Sequence, residues 1–393
     1  MLEKFGHGGD LLTAQELYGI PAERFADFSA NMNPFGPPAI VGELLRAYAD
    51  AIGRYPDPAV RGLRRKLAIH HGIREDELLV GNGAAELIDL AVRVLKPAEV
   101  VLAQPCFVEY GDAARKSGIP IRTIQLAPAE RFKLSAADVE RTVRELREAG
   151  RQAGDAIWFL GHPNNPTGQL IEPETIRLLV DRGERVLLDE AFMDFVLNAT
   201  RYSFLGEAAR TKGGRLIVIR SMTKFYAIPG IRLGYLVADS ATVALLKEQQ
   251  VPWSVNSLAQ SIGEAVLDEE EYARRTMAWL QEERAWLTGQ LEELGLIVAE
   301  GHVNYVLFRI PLSLGLTAGE LQRKLGERGV LIRDASHFEG LDETYCRIAV
   351  RFREEHDRLL HNLREVLRER RGSTDAVRVR VPNDAAGKEG ESR

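Results

Sequence analysis

Hydrophobic and polar positions follow a repeating order through the middle of the chain, and that order predicts alternating strands and helices. From about residue 77 to 240, short apolar runs alternate with longer segments of helical period, which is typical of parallel strands joined by crossover helices. Residues 156–160, 185–189 and 215–220 are apolar runs that predict buried strands. Because ligands bind where the strands of such a sheet end, the polar residues after each run are candidate functional residues.

A second region of mixed pattern follows the predicted sheet. Its predicted elements are a long helix at about residues 269–294, strands at 305–310, 330–333 and 345–350, and a helix at 317–328. We expect this region to form a smaller α+β unit beside the larger α/β unit.

The last predicted helix spans about residues 353–370. Apolar residues recur on one of its faces, namely Leu359, Leu360, Leu363, Val366 and Leu367. We expect that face to be core, not a membrane or partner surface. Residues 372–393 lack apolar periodicity and are rich in glycine, charge and small residues, which predicts a disordered tail.

Length and composition narrow the class of protein. A chain of 393 residues can bury a large core and a smaller lobe. A net charge of -6 without a basic cluster argues against a nucleic-acid partner. Cys106 and Cys346 are too few for a disulfide framework, which indicates a reducing compartment. Neither a signal-type apolar segment at residues 1–10 nor a run of about 18 apolar residues occurs, so we expect a cytoplasmic protein without a membrane partner.

Lys224 is the strongest candidate for chemistry. It follows the apolar run 215–220 and two hydroxyl residues, Ser221 and Thr223, and Arg232 lies eight positions downstream beyond a Pro-Gly turn. Burial at a strand end disfavours the charged form of a lysine, and a neutral amine can form a Schiff base with an aldehyde. Arg232 and the two hydroxyls can bind a phosphate dianion. The segment therefore suggests pyridoxal phosphate, although a lone lysine after a strand is more often a solvated residue.

Two other strand ends carry polar groups that suit the same cofactor. Asn165 lies in an Asn-Pro-Thr-Gly turn and can direct its amide at a phenolate oxygen, although a structural turn would need the same residues. Asp189 ends the run 185–189, and a buried carboxylate is costly unless it is paired. A protonated pyridine nitrogen is such a partner and makes the ring an electron sink. A metal-binding pair of Asp189 and Glu190 is the alternative, but no histidine or third acid lies at ligand spacing, so no metal is expected and Glu190 should point to the other face.

Two further segments complete the candidate site. Residues 78–87 predict a strand, a small-residue turn and a helix start, where the free amides near Ala84 and Ala85 can bind phosphate. Phe107 ends the next strand and can stack on a pyridine ring, although a lone aromatic residue there is more often part of the core.

Together these residues occur in the order typical of the fold-type I aminotransferase superfamily, which the chain resembles over roughly residues 5–370. The resemblance implies an α/β fold with a large domain (41–270) built on a mostly parallel seven-stranded sheet, a small α+β domain (271–371) and an N-terminal arm (1–40) that joins the small domain and the active site. It implies pyridoxal 5'-phosphate on Lys224, with Asp189 at the pyridine nitrogen, Asn165 at the ring oxygen and Phe107 stacked on the ring. It also implies a phosphate site formed by Ala84, Ala85, Ser221, Thr223 and Arg232.

The resemblance further implies a homodimer. Tyr55 lies in a Pro-flanked turn and is similar to the tyrosine that these enzymes donate across the dimer interface to the neighbouring cofactor phosphate.

Two branches of the superfamily are similar to this chain, the threonine-phosphate decarboxylases of cobalamin synthesis and the histidinol-phosphate aminotransferases. Three features resemble the decarboxylases: a His-Gly-Gly element at His7, the lysine segment 223–230, and the strand 347–351. The alternative interpretation of the His-Gly-Gly element is a frayed chain terminus without a function. Phe192 stands where a tyrosine is common and is compatible with both branches.

The decarboxylase resemblance implies a substrate site and a reaction. The implied substrate-binding residues are His7, Gly8, Asn31, Asn165, Arg333 and Arg347. Arginine suits both phosphate and carboxylate, although each arginine alone is more often a surface ion-pair residue. The implied reaction converts O-phosphothreonine to aminopropanol phosphate. Histidinol-phosphate aminotransferase, serine-phosphate decarboxylase and a non-catalytic ligand sensor remain as alternatives.

Overall fold

The computed structural model describes residue 2 and residues 8–378, with side chains described as far as residue 370. The strands of this part of the chain are β1 (Ala26–Asp27), β2 (Leu78–Gly81), β3 (Glu99–Gln104), β4 (Ile121–Gln125), β5 (Ala156–Gly161), β6 (Arg185–Asp189), β7 (Leu216–Ser221), β8 (Gly234–Val237), β9 (Ile297–Val298), β10 (Tyr305–Arg309), β11 (Val330–Leu331), β12 (Arg333–Asp334) and β13 (Tyr345–Ala349). The α-helices are α1 (Leu11–Tyr18), α2 (Ala39–Tyr48), α3 (Arg61–His71), α4 (Ala84–Leu95), α5 (Val108–Lys116), α6 (Ala136–Glu148), α7 (Pro173–Asp181), α8 (Leu205–Arg210), α9 (Ser240–Gln249), α10 (Ser257–Val266), α11 (Glu270–Glu293), α12 (Ala318–Gly326) and α13 (Arg353–Arg378).

The large sheet has seven strands in the order β2-β8-β7-β6-β5-β3-β4. Strands β4, β3, β5, β6 and β7 pair in parallel, whereas β8 is antiparallel to both of its neighbours. The sheet is therefore mostly parallel, which confirms the predicted fold class. Because the parallel strands share one direction, their carboxyl ends lie along one edge.

The apolar runs of the sequence are explained by burial of both faces of this sheet. Along β5, Ile157 and Phe159 pack into the core on one face, whereas Trp158 and Leu160 pack into the core on the other. Successive side chains of a strand point to opposite faces, so a strand covered on both sides is apolar at every position.

A smaller antiparallel sheet, in the order β12-β13-β10-β9, forms a second core. The predicted apolar face of the last helix belongs to this core, since Leu359, Leu360, Leu363, Val366 and Leu367 are all buried. Strand β1 pairs in parallel with β11, which attaches the N-terminal residues to this part of the molecule.

Two details of the sequence prediction are wrong. The predicted strand 330–333 is two short strands, because Val330 and Leu331 pair with β1, whereas Arg333 pairs with Arg347 of β13. Helix α13 continues to Arg378, so residues 372–378 are helical and not part of a disordered tail. Extending an existing helix costs less than starting one. Residues 379–393 lie outside the described residues.

None of the helices in the described part of the chain has both the length and the apolar character needed to cross a bilayer.

A buried ion pair joins β6 to β7 behind the edge where these strands end. Arg220 is 4% exposed and donates from Nε to Oε2 of Glu190 at 2.8 Å, and it also contacts Asp194. Glu190 accepts further hydrogen bonds from Ser203 Oγ at 2.8 Å and from the backbone N–H of Phe204 at 2.7 Å. Glu190 therefore points away from the candidate site, as the sequence analysis expected.

We predict that Arg220→Met lowers the free energy of unfolding by about 3–5 kcal/mol, because Glu190 then stays buried without a cation. Urea denaturation measures the change. Arg323→Met is the control, since the pair of Arg323 with Glu327 on α12 is exposed and its loss should cost at most about 1 kcal/mol. Equal, small losses in the two variants would contradict the prediction.

Candidate active site

A cavity of about 350 Å³ lies at the carboxyl ends of the parallel strands. Most of the residues predicted for the site line it, namely Gly8, Asn31, Ala84, Ala85, Phe107, Asn165, Asp189, Ser221, Thr223, Lys224, Arg232, Arg333 and Arg347. Tyr55 does not line this cavity, and His7 lies outside the described residues. The fold thus brings together side chains that are far apart in the sequence.

Lys224 follows β7 and is partly buried against the cavity. Burial and, to a smaller extent, the positive charges of Arg347 and Arg232 lower the pKa of its amine to about 8, against the opposing effect of Asp189. An ordinary lysine has a pKa of about 10.4, so a far larger fraction of the Lys224 amine than of an ordinary lysine amine is neutral near pH 7. The neutral amine is the form that attacks a carbonyl group.

Asp189 ends β6 and is 7% exposed. Its Oδ2 accepts a hydrogen bond from the Tyr110 hydroxyl at 2.7 Å, and its Oδ1 accepts one from the Ala191 N–H at 2.9 Å. Burial raises the pKa of the Asp189 carboxyl, and the two hydrogen bonds oppose that rise. Within the described residues no lysine, arginine or histidine forms an ion pair with it. A cationic ring nitrogen would therefore supply a partner that the buried carboxylate lacks.

The start of α4 and the adjacent Arg232 form one side of a phosphate site. Gly83 precedes the helix with φ 81° and offers no side-chain cap, so the first amides, at Ala84 and Ala85, keep their donors for a ligand. A Cβ at Gly83 would lie 2.5 Å from Nη2 of Arg232. Glycine therefore allows the guanidinium to approach the helix start.

The hydroxyls of Ser221 and Thr223 form the other side of the phosphate site. Their oxygens are 2.8 Å apart and share a hydrogen bond, and both residues are buried. Together with Arg232 and the α4 amides, they form a donor set suited to a dianion.

Two arginines bring positive charge to the cavity from the smaller sheet. Arg333 and Arg347 are register partners on β12 and β13, and they are only 4% and 6% exposed. Arg347 donates from Nη2 to the Ser29 carbonyl at 3.0 Å and from Nη1 to Oδ1 of Asn165. This contact occupies the amide oxygen of Asn165 and leaves its amide nitrogen, which donates to no group in the described part of the chain, for a ligand oxygen.

The N-terminal segment closes one wall of the cavity. A Cβ on Gly8 would lie 2.2 Å from the Ser29 carbonyl oxygen, so only glycine fits there, and the Gly9 N–H donates to Ser29 Oγ at 2.8 Å. Asn31 is 5% exposed, and its Oδ1 has no hydrogen-bond partner within the described residues. The contacts with Ser29 keep Gly8 at the cavity wall.

Aromatic rings form the apolar part of the cavity. Phe107 lies edge-on to Tyr110 with ring centroids 5.6 Å apart, and Phe192 packs against Tyr305 at 5.0 Å. Phe192 has no hydrogen-bond donor, so a ligand oxygen near it depends on Asn165. Tyr110 is a residue of this region that was not predicted from the sequence. An aromatic residue three positions after Phe107 on a helix start was the available signal, because residues three apart lie on the same side.

Tyr55 lies on the surface. Its side chain is 85% exposed, and its ring packs on that of Trp253 at 5.3 Å between centroids. It is therefore available to another molecule and makes no contribution to the cavity of its own chain.

The described residues contain no group of three or more histidines, cysteines, aspartates or glutamates that could hold a metal ion. What the cavity offers is an amine with a lowered pKa, a buried carboxylate, a phosphate site and two further cations. This combination suits a phosphorylated aldehyde cofactor and an anionic amine substrate.

Comparison with known proteins agrees with this geometry. Residues 23–363 match the model of the family described as aminotransferase class I and II. The chain is 39% identical to the threonine-phosphate decarboxylase of Salmonella typhimurium, covering 92% of this chain and 96% of that protein. It is 32% identical to the histidinol-phosphate aminotransferase of Roseiflexus castenholzii, covering 91% and 93%. The crystal structure of the histidinol-phosphate aminotransferase from Clostridium acetobutylicum superposes with a TM-score of 0.78 at 27% identity, covering 87% and 99%. This chain belongs to the class I and II aminotransferase family.

Proposed function

We propose that this chain is a pyridoxal 5'-phosphate-dependent decarboxylase that converts O-phosphothreonine to aminopropanol phosphate in cobalamin synthesis. The observation that carries the proposal is the 39% identity to a threonine-phosphate decarboxylase over 92% of the chain. The cavity supports it, since an amine of low pKa and two buried arginines meet there.

The residues of the cavity fit the cofactor. Asp189 would pair with the ring nitrogen, Phe107 would stack on the ring, and the amide nitrogen of Asn165 would donate to the ring oxygen. The phosphate would be held by Ala84, Ala85, Ser221, Thr223 and Arg232. When bound, the cofactor withdraws electrons from the Cα atom of the amino substrate.

Lys224 has two roles in this proposal. Its neutral amine holds the cofactor covalently until the substrate amine replaces it. Once released, the same amine would be close to the substrate Cα and could deliver a proton there. The lowered pKa serves both roles, because Lys224 can be neutral as a nucleophile and still protonated as a donor near pH 7.

The arginines orient the substrate, and its orientation decides which bond breaks. Arg333 and Arg347, with Asn31, Gly8 and His7, bind the phosphate and the carboxylate of O-phosphothreonine. The Cα–carboxylate bond must stand perpendicular to the ring plane to break. The carboxylate then leaves as carbon dioxide, its bonding pair stays on Cα, and Lys224 supplies the proton that completes the amine.

Histidinol-phosphate aminotransferase is the second candidate function, favoured by the 32% identity to such an enzyme. In that reaction the Cα–H bond is the one that breaks, and a keto acid receives the amino group. A decarboxylase of O-phosphoserine would differ from the proposal by one methyl group, which a pocket discriminates by only about 1–3 kcal/mol.

The proposal includes the assembly and the setting of the enzyme. We propose a homodimer in which Tyr55 of each copy reaches the cofactor phosphate of the other. The division into arm (1–40), large domain (41–270) and small domain (271–371) belongs to the same proposal. A cytoplasmic location is supported by Cys106 and Cys346, which are buried and are not joined in a disulfide.

For the cofactor, we predict that apoprotein takes up pyridoxal phosphate covalently at a rate that rises with pH and levels off above about 8, the pKa of Lys224. Above that pH the amine is already neutral. Borohydride should then fix the cofactor irreversibly on Lys224, as located by peptide mass spectrometry, and Lys224→Arg should take up none. A rate that still rises at pH 10, or a label on another lysine, would contradict this assignment.

For the dimer, we predict that Tyr55→Ala and Lys224→Ala are each inactive and that mixing them restores activity. A hybrid dimer contains one site with an intact Lys224 and a Tyr55 from the other copy. Subunits are exchanged in mild denaturant, and sedimentation confirms the dimer. If Tyr55 acts within its own chain, the mixture stays inactive.

For the reaction, we predict that the enzyme releases carbon dioxide from O-phosphothreonine without a keto acid. Arg333→Ala and Arg347→Ala should each lower the rate more than tenfold while keeping bound cofactor, since losing one partner of a desolvated charge pair costs about 2–5 kcal/mol. The rate is followed as evolved carbon dioxide.

Arg309→Ala is the matched control, because Arg309 lies on β10 of the same sheet, pairs with Asp342 and does not line the cavity. It should keep the wild-type rate. Faster amino transfer from histidinol phosphate to 2-oxoglutarate than carbon dioxide release would favour the second candidate function.

A further inference from the structure

Tyr110 is the side-chain hydrogen-bond donor that the structure gives to Asp189 within the described residues. Its ring is 1% exposed and is packed between Phe107 and Phe159, with centroid distances of 5.6 Å and 5.7 Å. Packing on two sides fixes the phenol, so the direction of its hydroxyl is set before any ligand binds.

The start of α5 explains this placement. Phe107 is the residue before the helix, and Tyr110 is its third residue. One helical turn therefore carries both the ring that lines the cavity and the hydroxyl that reaches Asp189. The start of α5 thus positions both the Phe107 ring and, through the Tyr110 hydroxyl, the carboxylate of Asp189.

The two neighbouring carboxylates at the end of β6, Asp189 and Glu190, have partners of different charge. Glu190 is paired with the cation of Arg220 at 2.8 Å, whereas Asp189 receives hydrogen bonds from Tyr110 and Ala191, which are both neutral. A fixed cation beside Asp189 would cancel its attraction for a positive ligand group. A neutral hydroxyl orients the carboxylate and leaves its charge for the ligand.

We propose that Tyr110 is a positioning residue for Asp189, fixing one carboxylate oxygen so that the charge faces the protonated ring nitrogen of the cofactor. The inference rests on the proposed function, because it requires pyridoxal phosphate in the cavity. Burial, with the charge of Asp189 adding to it, raises the pKa of the Tyr110 phenol well above its usual value. Tyr110 therefore keeps its proton and remains a hydrogen-bond donor through the neutral pH range.

The test measures cofactor affinity in apoprotein, with two ligands. One is pyridoxal phosphate, and the other is its analogue with a C–H group in place of the ring nitrogen. Tyr110→Phe should weaken binding of pyridoxal phosphate by about tenfold or more, as for a lost hydrogen bond to a charged group. Binding of the analogue should not weaken, because it has no ring nitrogen for Asp189 to hold.

Tyr235→Phe is the matched control. The hydroxyl of Tyr235 is also buried and bonded at 2.7 Å, but to Nε2 of His71, and Tyr235 does not line the cavity. This variant should leave the affinity for both ligands unchanged. Any weakening in Tyr110→Phe is then due to the loss of the Tyr110 hydroxyl itself and not to the loss of a buried hydroxyl in general.

The outcomes distinguish this inference from the proposed function. Equal weakening for both ligands in Tyr110→Phe, or no weakening for either, overturns the positioning role. A wild-type protein that binds neither ligand overturns the proposed function and the inference with it. Selective weakening for pyridoxal phosphate supports both.

Discussion

The parallel pairing of β5, β6 and β7 is the constraint on which the site depends. Gly161 is the register partner of Asp189, and Asp189 is the register partner of Ile219, so the three strands end within a few residues of one another. The loops that follow them therefore deliver Asn165, Asp189 and Lys224 to one cavity.

The charge distribution at that edge of the sheet depends on which ionisable side chains form ion pairs and which do not. Behind the edge, Arg220 and Glu190 neutralise each other in the core. In the cavity, Asp189 has only neutral donors, and Lys224 has a lowered pKa because it is buried near other cations. The protein thus keeps an unpaired negative charge and a reactive amine where a cationic ring and an aldehyde would bind. Arg333 and Arg347 add positive charge to the cavity from the smaller sheet.

The sequence predicted the fold class and most of the cavity because the residues that carry the chemistry follow apolar runs. Lys224, Asp189 and Asn165 each come directly after or within reach of a buried strand end, and a parallel sheet places such ends together. Arg333 and Arg347 were found only through the family resemblance, since isolated arginines have no distinctive pattern.

What the sequence did not predict depends on contacts between distant segments. From the sequence, Tyr110 is indistinguishable from an ordinary aromatic residue of the core. Only the fold brings its hydroxyl next to Asp189, which is 79 residues away in the chain. Likewise, strands β11 and β12 are separate because their pairing partners, β1 and β13, lie in different sheets. Periodicity reports which side of an element is buried, but it does not report what that side contacts.

The most direct measurement is the fate of the substrate Cα during turnover of O-phosphothreonine in D₂O, followed by proton NMR. Our account predicts aminopropanol phosphate with one deuterium on the carbon that carried the carboxylate, because the carboxylate leaves and a solvent-derived proton takes its place. A product that keeps its carboxylate and loses its amino group would contradict the account.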